Sequence, residues 1–245
     1  MLSSKLRGAT SGSASIDLED IGGEYEGGYL VGVIDTTKGN IIAADDYQTG
    51  LRYALIVMPK SMEAAAPIAW DTRGQHSPVQ AGCKTRWNGL EATNTILAKN
   101  DDSTYPAFAH IRSLRTTSGY DDIYLPAMDE LELMYRNLKP TTANNSTHTV
   151  SRSFPGSQPV GYNPSSDPTG AAYTAGSPTR TSLVDFQSGG SQSIGLARYW
   201  SSTDANGSGR AWVQFFTGQG PEGYQFAVAK GSTSDSVRPV RRVVL

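Results

Sequence analysis

Three stretches near the C-terminus decide the fold: RAWVQFF (210–216), YQFAVAK (224–230) and VRPVRRVVL (237–245). Each is rich in β-branched and aromatic residues, and the segments between them, GQGPEG and STSD, carry turn-forming residues. The pattern predicts an antiparallel meander that closes the domain. Pro239 cannot donate a backbone hydrogen bond, so it argues against a position at the centre of a fully paired sheet.

Alternation along RAWVQFF predicts which side chains share a face of the strand. We expect Ala211, Val213 and Phe215 to face the core. The opposite face carries Trp212, Gln214 and Phe216.

The N-terminal half predicts further short strands. GGYLVGVID (27–35) and NIIAA (40–44) are separated by TTKG, which indicates a β-hairpin. RYALIVMP (52–59) and GYDDIYLP (119–126) each read as a strand closed by a proline.

Three segments carry helical spacing. GLEATNTILAKN (89–100) places apolar residues at helical intervals, and AFAHIRSL (107–114) follows Pro106, which suits a first-turn position. In AMDELELMYRNL (127–138), Leu131, Tyr135 and Leu138 share one face, and Asp129 and Glu130 complement the helix dipole. We therefore expect an α+β fold with two or three short helices.

Two segments stand apart in composition. Residues 1–20 are small and polar and predict a flexible tail, or one that docks into a partner. Residues 139–197 are rich in Ser, Gly and Pro with little periodicity, and we interpret them as a long insertion on the surface. The domain organisation is thus a tail and a single domain over 21–245.

Composition argues against several classes of partner. With 21 basic and 23 acidic residues, the chain has no field that would attract nucleic acid. Nothing resembles a signal peptide or an apolar membrane-spanning stretch, so we expect synthesis in a cytoplasm without export and without membrane insertion. The one cysteine, Cys83, cannot form an internal disulfide.

Together with YWSST (199–203), the stretches RAWVQFF and VRPVRRV resemble the signature of the Lcl C-terminal domain family. DDIYLPAMDELELMY and IGGEYEGGYLVGVID are similar to further segments of that family, so the resemblance covers about 21–245. It implies a C-type-lectin-like fold and noncovalent ligand or receptor binding, as in bacterial adhesins and phage tail proteins.

Neither a catalytic set nor a metal site is predicted. The histidines His76, His110 and His148 fall in unrelated segments, and the paired Asp residues are adjacent in sequence rather than facing. DANGSG (204–209) begins like a calcium loop but lacks the later bidentate Glu, so a tight turn is favoured. We expect no cofactor and no enzymatic activity.

The resemblance places a ligand-binding face near the C-terminal strands, where aromatic rings can stack on sugars and polar groups can add directional hydrogen bonds. Trp200 in YWSST is expected in the core. The candidate ligand-binding residues are Tyr199, Asp204, Asn206, Arg210, Trp212, Gln214 and Tyr224.

These features favour an adhesin or receptor-binding module on the surface of a phage virion, at a tail fibre or tail tip. Its partner would be a host surface glycan or protein, and several copies in a homo-oligomer would strengthen weak contacts. The alternative is a structural virion protein, such as a capsid decoration or tail-assembly component. In either case residues 1–20 are expected to contact other virion subunits.

Overall fold

The computed structural model describes residues 20–37, 50–150, 158–195, 198–205, 209–216 and 222–245. Within them the chain folds as a mixed α+β structure with two main sheets and three α-helices. The predicted tail, apart from Asp20, and the predicted strand NIIAA lie outside the described residues, as does Asn206. The α+β prediction is confirmed.

The first sheet is antiparallel and joins the two ends of the described chain. Its strands are β1 (Glu24–Tyr25), β2 (Gly28–Asp35), β3 (Arg52–Val57) and, near the C-terminus, β11 (Val240–Val244), in the order β1-β2-β3-β11. The short strand β6 (Ser166–Asp167) also pairs with β2. Both faces of β2 and β3 are buried, as their nearly continuous apolar sequences require. GYDDIYLP does not form the predicted strand and contributes an isolated bridge from Tyr124 to Val240.

The second sheet contains β7 (Arg198–Ala205), β8 (Arg210–Phe215), β9 (Gln225–Ala229) and β10 (Asp235–Ser236), in the order β10-β7-β8-β9. The predicted pairing of RAWVQFF with YQFAVAK is confirmed. The meander prediction is wrong for the last strand, because β11 leaves this sheet and pairs with β3. Pro239 directly precedes β11, where its missing donor interrupts no ladder.

All three predicted helices form: α1 (Gly89–Leu97), α2 (Pro106–Ser118) and α3 (Met128–Leu138). Pro106 opens α2, as expected, and Gly119 ends it in the left-handed conformation at φ 81°. The α3 start is held by the Glu130 carboxylate, which accepts from the Ala127 backbone N–H at 2.7 Å.

The second sheet separates two hydrophobic clusters, and this explains a partial error in the predicted core. Ala211 and Val213 pack against the cluster that contains α1 and α2, and Trp200 joins them as expected. Phe216 belongs instead to the cluster around α3 and the first sheet, whereas Phe215 is half-exposed. Because both faces of β8 are covered, alternation alone could not select the core side.

The segment 139–197 contains little regular structure: β4 (Thr149–Val150), β5 (Gln158–Pro159), β6 (Ser166–Asp167) and a 3-10 turn at Val184–Phe186. Its interpretation as a surface insertion is wrong for several side chains, because it contributes core residues to the cluster around α3. These are Val160, Tyr173, Phe186 and Ile194.

Candidate functional site

Three of the predicted ligand-binding side chains are buried and bonded within the protein. Tyr199 donates its hydroxyl to Glu63 Oε1 at 2.9 Å, and Asp204 accepts from Lys230 Nζ at 2.7 Å. Gln214 is fully buried, where its amide contacts the Gly223 carbonyl and Gln225. These contacts leave the three side chains no surface to offer a ligand in this conformation.

Asp204, the first residue of DANGSG, has its carboxylate engaged by protein groups, so it does not begin a set of calcium ligands. Burial raises the pKa of Asp204, while the hydrogen bond and charge of Lys230 oppose that shift. The carboxylate accepts a further hydrogen bond from the Gln80 backbone N–H at 2.7 Å. Asp204 therefore anchors the end of β7 to the Gln80 segment and to Lys230.

The other described candidates keep accessible surface at the β8–β9 edge. Arg210 is exposed and its guanidinium contacts the Ala227 carbonyl at 3.3 Å, while Trp212 is half-buried against the cluster around α3. Tyr224 is half-exposed and adjoins two phenylalanines that sequence reasoning missed. Of the predicted set, Tyr224 alone takes part in the surface feature described next.

A row of half-exposed aromatic rings crosses the end of the second sheet. The ring of Phe226 stacks on Phe215 at a centroid distance of 5.1 Å and on Tyr224 at 5.6 Å, with interplanar angles of 19° and 14°. Arg198 lies across the sheet, with its guanidinium carbon 5.9 Å from the Phe215 ring centroid and 5.8 Å from that of Phe226. We call these four side chains the aromatic strip.

Strand pairing builds the strip from distant parts of the sequence. Arg198 stands opposite Phe215, and Phe226 stands opposite Val213, so their side chains project from one face. The other end of that face, with Trp200 and Val213, is covered by the helices, whereas the strip remains half-exposed. The alternation along β8 correctly places Phe215 on the same face as Val213, but that whole face was predicted to be core.

An ion pair with the buried Asp235 positions the charged end of the strip. Arg198 Nε lies 2.6 Å from Asp235 Oδ1, and the parallel pairing of β10 with β7 sets those two residues side by side. Burial raises the pKa of Asp235, and the hydrogen bond from Ser232 and the Arg198 charge oppose it. The guanidinium is thereby held over the rings instead of moving freely in solvent.

Three further buried carboxyl groups with raised pKa values lie on α3. Burial raises the pKa of Asp129, Glu130 and Glu132. Glu130 accepts from the Tyr53 and Tyr124 hydroxyls at 2.7 and 2.6 Å and from two backbone N–H groups. Because its carboxylate oxygens already accept hydrogen bonds in the core, Glu130 links neighbouring elements of the fold.

The neighbouring carboxylates fasten the segment 139–197 to α3. Asp129 accepts from Ser165 at 2.8 Å and bridges to Arg86 at 2.8 Å. Glu132 accepts from Asn163 at 2.6 Å and from the Tyr173 hydroxyl at 2.7 Å. Asp129 was predicted to complement the helix dipole, and the structure buries it together with Glu132 as attachment points.

The other reactive residue types are dispersed. Cys83 is fully buried, and His110 bonds through its ring to the Met62 carbonyl at 2.9 Å. Over the described ranges, no three His, Cys, Asp or Glu side chains converge in a way that could hold a metal ion. In the same ranges, every helix is too short or too polar to cross a membrane.

Comparison with known proteins gives no match. No protein-family model fits the chain, and neither a curated protein nor a solved structure is significantly similar to it. The resemblance to the Lcl C-terminal domain family receives no support from these comparisons. The functional interpretation therefore rests on the geometry of the chain itself.

Proposed function

We propose that this protein is a recognition module that binds a host surface molecule noncovalently through the aromatic strip, as a receptor-binding or adhesin component of a phage tail fibre or tail tip. The observation that carries the proposal is the half-exposed row Phe215, Phe226 and Tyr224 with its fixed guanidinium. Exposed aromatic side chains grouped in one place mark interaction surfaces.

A glycan is the ligand class that suits this surface best. Aromatic rings pack against the apolar C–H faces of sugars, and a guanidinium supplies several directional donors to hydroxyl or carboxylate oxygens. Arg198 offers those donors beside the rings and loses little freedom on binding, because Asp235 already orients it. A host protein is the competing ligand and is an outcome of the test below.

The C-type-lectin-like fold and the Lcl family belong to the same proposal. In its support, the motifs behind the resemblance occupy central places: YWSST lies within β7, RAWVQF forms β8, and the residues after VRP form β11. Display on a virion surface, homo-oligomer formation and attachment through residues 1–20 complete the proposal. Repetition on one particle would make weak individual contacts effective.

The test is binding of the purified protein to a glycan array and to intact host cells. We expect Tyr224→Ala combined with Phe226→Ala to weaken binding about tenfold or more, because two ring contacts are lost. Tyr162→Ala removes another half-exposed tyrosine, outside the strip, and serves as the matched control. Both variants must retain the wild-type melting temperature.

The outcomes separate the ligand classes. Saturable glycan binding that is lost in the strip variant supports the proposal. Binding to cells that survives removal of surface glycans would assign the strip to a protein receptor. Equal binding by the strip variant and the wild type would overturn the proposed site.

One observation favours the alternative of a structural virion protein. Among the described strands, β9 lies at one edge of the second sheet, and its sequence QFAVA (225–229) has neither a charged residue nor a proline, the residues that discourage edge-to-edge pairing. Light scattering and amide hydrogen exchange test this reading. A dimer whose β9 amides exchange slowly would favour assembly, and a monomer with fast-exchanging β9 amides would argue against it.

A further inference from the structure

A second concave surface lies at the first sheet, where the β1–β2 hairpin adjoins Tyr120 and Pro59. The cleft has a volume of about 540 Å³, within the range of small-molecule sites. It shares no residue with the aromatic strip. Three tyrosines and two glutamates supply its side-chain functional groups: Tyr25, Tyr29, Tyr120, Glu24 and Glu26.

The hairpin that forms one wall is held in a defined conformation. Glu26 and Gly27 have φ values of 48° and 84°, and the two-residue turn pairs Tyr25 with Gly28. A side chain at position 27 would collide with the Tyr120 hydroxyl, so glycine allows the turn to approach that ring. Arg241 donates to the Glu26 carbonyl at 2.5 Å and fixes the turn from the other side.

The charged side chains that line the cleft are both acidic. Glu24 and Glu26 are exposed and, within the part of the chain that the structure describes, join no salt bridge. The Arg241 guanidinium pairs with Asp122 at 2.6 Å and lies 4.1 Å from the Tyr120 ring centroid. Burial raises the pKa of Tyr29, and the Glu24 charge adds to that shift.

We propose that this cleft binds an organic ammonium group carried on a small ligand. Tyrosine rings attract cations through their π faces, and the combination of several rings with carboxylates is the chemistry that recognises alkylated ammonium groups. An anionic ligand would meet Glu24 and Glu26, and the Arg241 guanidinium beside the turn is already paired with Asp122. A neutral ligand would gain nothing from those two charges.

Choline and its uncharged carbon isostere, in which a tert-butyl group replaces the trimethylammonium, provide the test. The two molecules have the same shape, so calorimetric titration of each into the full-length protein isolates the effect of the charge. We expect the isostere to bind at least about tenfold more weakly than choline. Added salt should weaken choline binding, because part of the attraction is between partly exposed charges.

Variants of the lining assign the effect to the cleft. Glu24→Gln combined with Glu26→Gln should weaken choline binding about tenfold, whereas Asp101→Asn combined with Asp102→Asn removes two exposed carboxylates elsewhere and should not. Tyr25→Ala should weaken binding, and Tyr25→Phe should restore it because the ring is kept. Melting temperatures confirm that each variant is folded.

Several results would overturn the inference. Equal affinity for choline and its isostere would make the cleft an apolar site, and undetectable choline binding by the folded protein would remove the site altogether. The strip variant Tyr224→Ala with Phe226→Ala should bind choline as the wild type does. A failure of glycan recognition would therefore not contradict the ammonium site, and a failure of choline binding would not contradict glycan recognition by the aromatic strip.

Discussion

The acidic residues of α3 and those of the β1–β2 hairpin have the same chemistry and opposite environments. Asp129, Glu130 and Glu132 are buried and accept hydrogen bonds from neighbouring elements. Glu24 and Glu26 are exposed beside a cleft lined with tyrosines. The first group is committed to holding the fold, whereas the second remains available to a ligand.

This contrast shows that a perturbed pKa is a poor guide to function in this protein. The strongly desolvated carboxyl groups on α3 are the ones whose oxygens are already occupied. Exposed carboxylates beside aromatic rings are better placed for recognition, because a ligand can reach them without displacing internal contacts.

The largest expected loss of stability comes from removing the Glu130 carboxylate. Glu130→Ala would leave the Tyr124 hydroxyl and the backbone N–H groups of Gly89 and Ala127 without their acceptor, while the Tyr53 hydroxyl would keep only the Trp87 carbonyl. Buried donors left unpaired in a network make such losses large, so we expect about 3–5 kcal/mol of stability to be lost. Urea unfolding measures this loss, and a value below about 1 kcal/mol would show that the hydrogen bonds to Glu130 contribute little to stability.

A smaller effect is expected at the buried pair Asp204 and Lys230. Lys230→Met leaves the Asp204 carboxylate buried without its 2.7 Å partner, whereas Asp204→Asn combined with Lys230→Met removes both charges. In a double-mutant cycle we expect a coupling of about 1–3 kcal/mol, with the double variant more stable than the sum of the single losses predicts. Strict additivity in urea unfolding would contradict an energetic link between the two groups.

Local patterns in the sequence predicted the three helices and the longer strands β2, β3, β8 and β9. Helical spacing and a first-turn proline predicted α2, and alternation predicted β8 and β9. The destination of the last strand was not predictable in this way, because pairing of β11 with β3 joins residues nearly two hundred positions apart. Nothing local in VRPVRRVVL distinguishes that partner from β9.

The candidate site was predicted less well for a related physical reason. The sequence marks Tyr199, Asp204 and Gln214 as polar or aromatic, but it does not show that both faces of the second sheet are covered. Conversely, Phe215 was expected in the core and is half-exposed. Burial depends on which elements pack above a strand, and that packing is a property of the tertiary structure.

Asp71 provides a pH-dependent contrast with α3, because its pKa moves in the opposite direction. Burial raises the pKa of Asp71, but the hydrogen bonds from Arg73 and Ser77 outweigh that effect and lower it below the ordinary value. A carboxyl group with a lowered pKa in the folded state stabilises the protein above its unfolded pKa and loses that effect as the pH falls through its folded pKa.

Asp71→Asn should therefore cost about 1–2 kcal/mol near neutral pH and progressively less below pH ~4. Urea unfolding of the wild type and the variant at several pH values measures the difference. A difference that grows on acidification would mean that burial, and not hydrogen bonding, dominates the Asp71 carboxyl.

The smallest stability effect is expected at the hairpin, where the comparison with α3 becomes sharpest. Glu24→Gln and Glu26→Gln remove charges that join no internal salt bridge in the described part of the chain, so each should change the unfolding free energy by less than about 0.5 kcal/mol. The left-handed backbone at Glu26 is unaffected, because glutamine has the same shape. A clear loss of stability in urea unfolding would place these carboxylates with those of α3 as structural groups. Unchanged stability together with weaker choline binding would separate the two sets, because carboxylates that hold the fold cannot be neutralised without a stability cost.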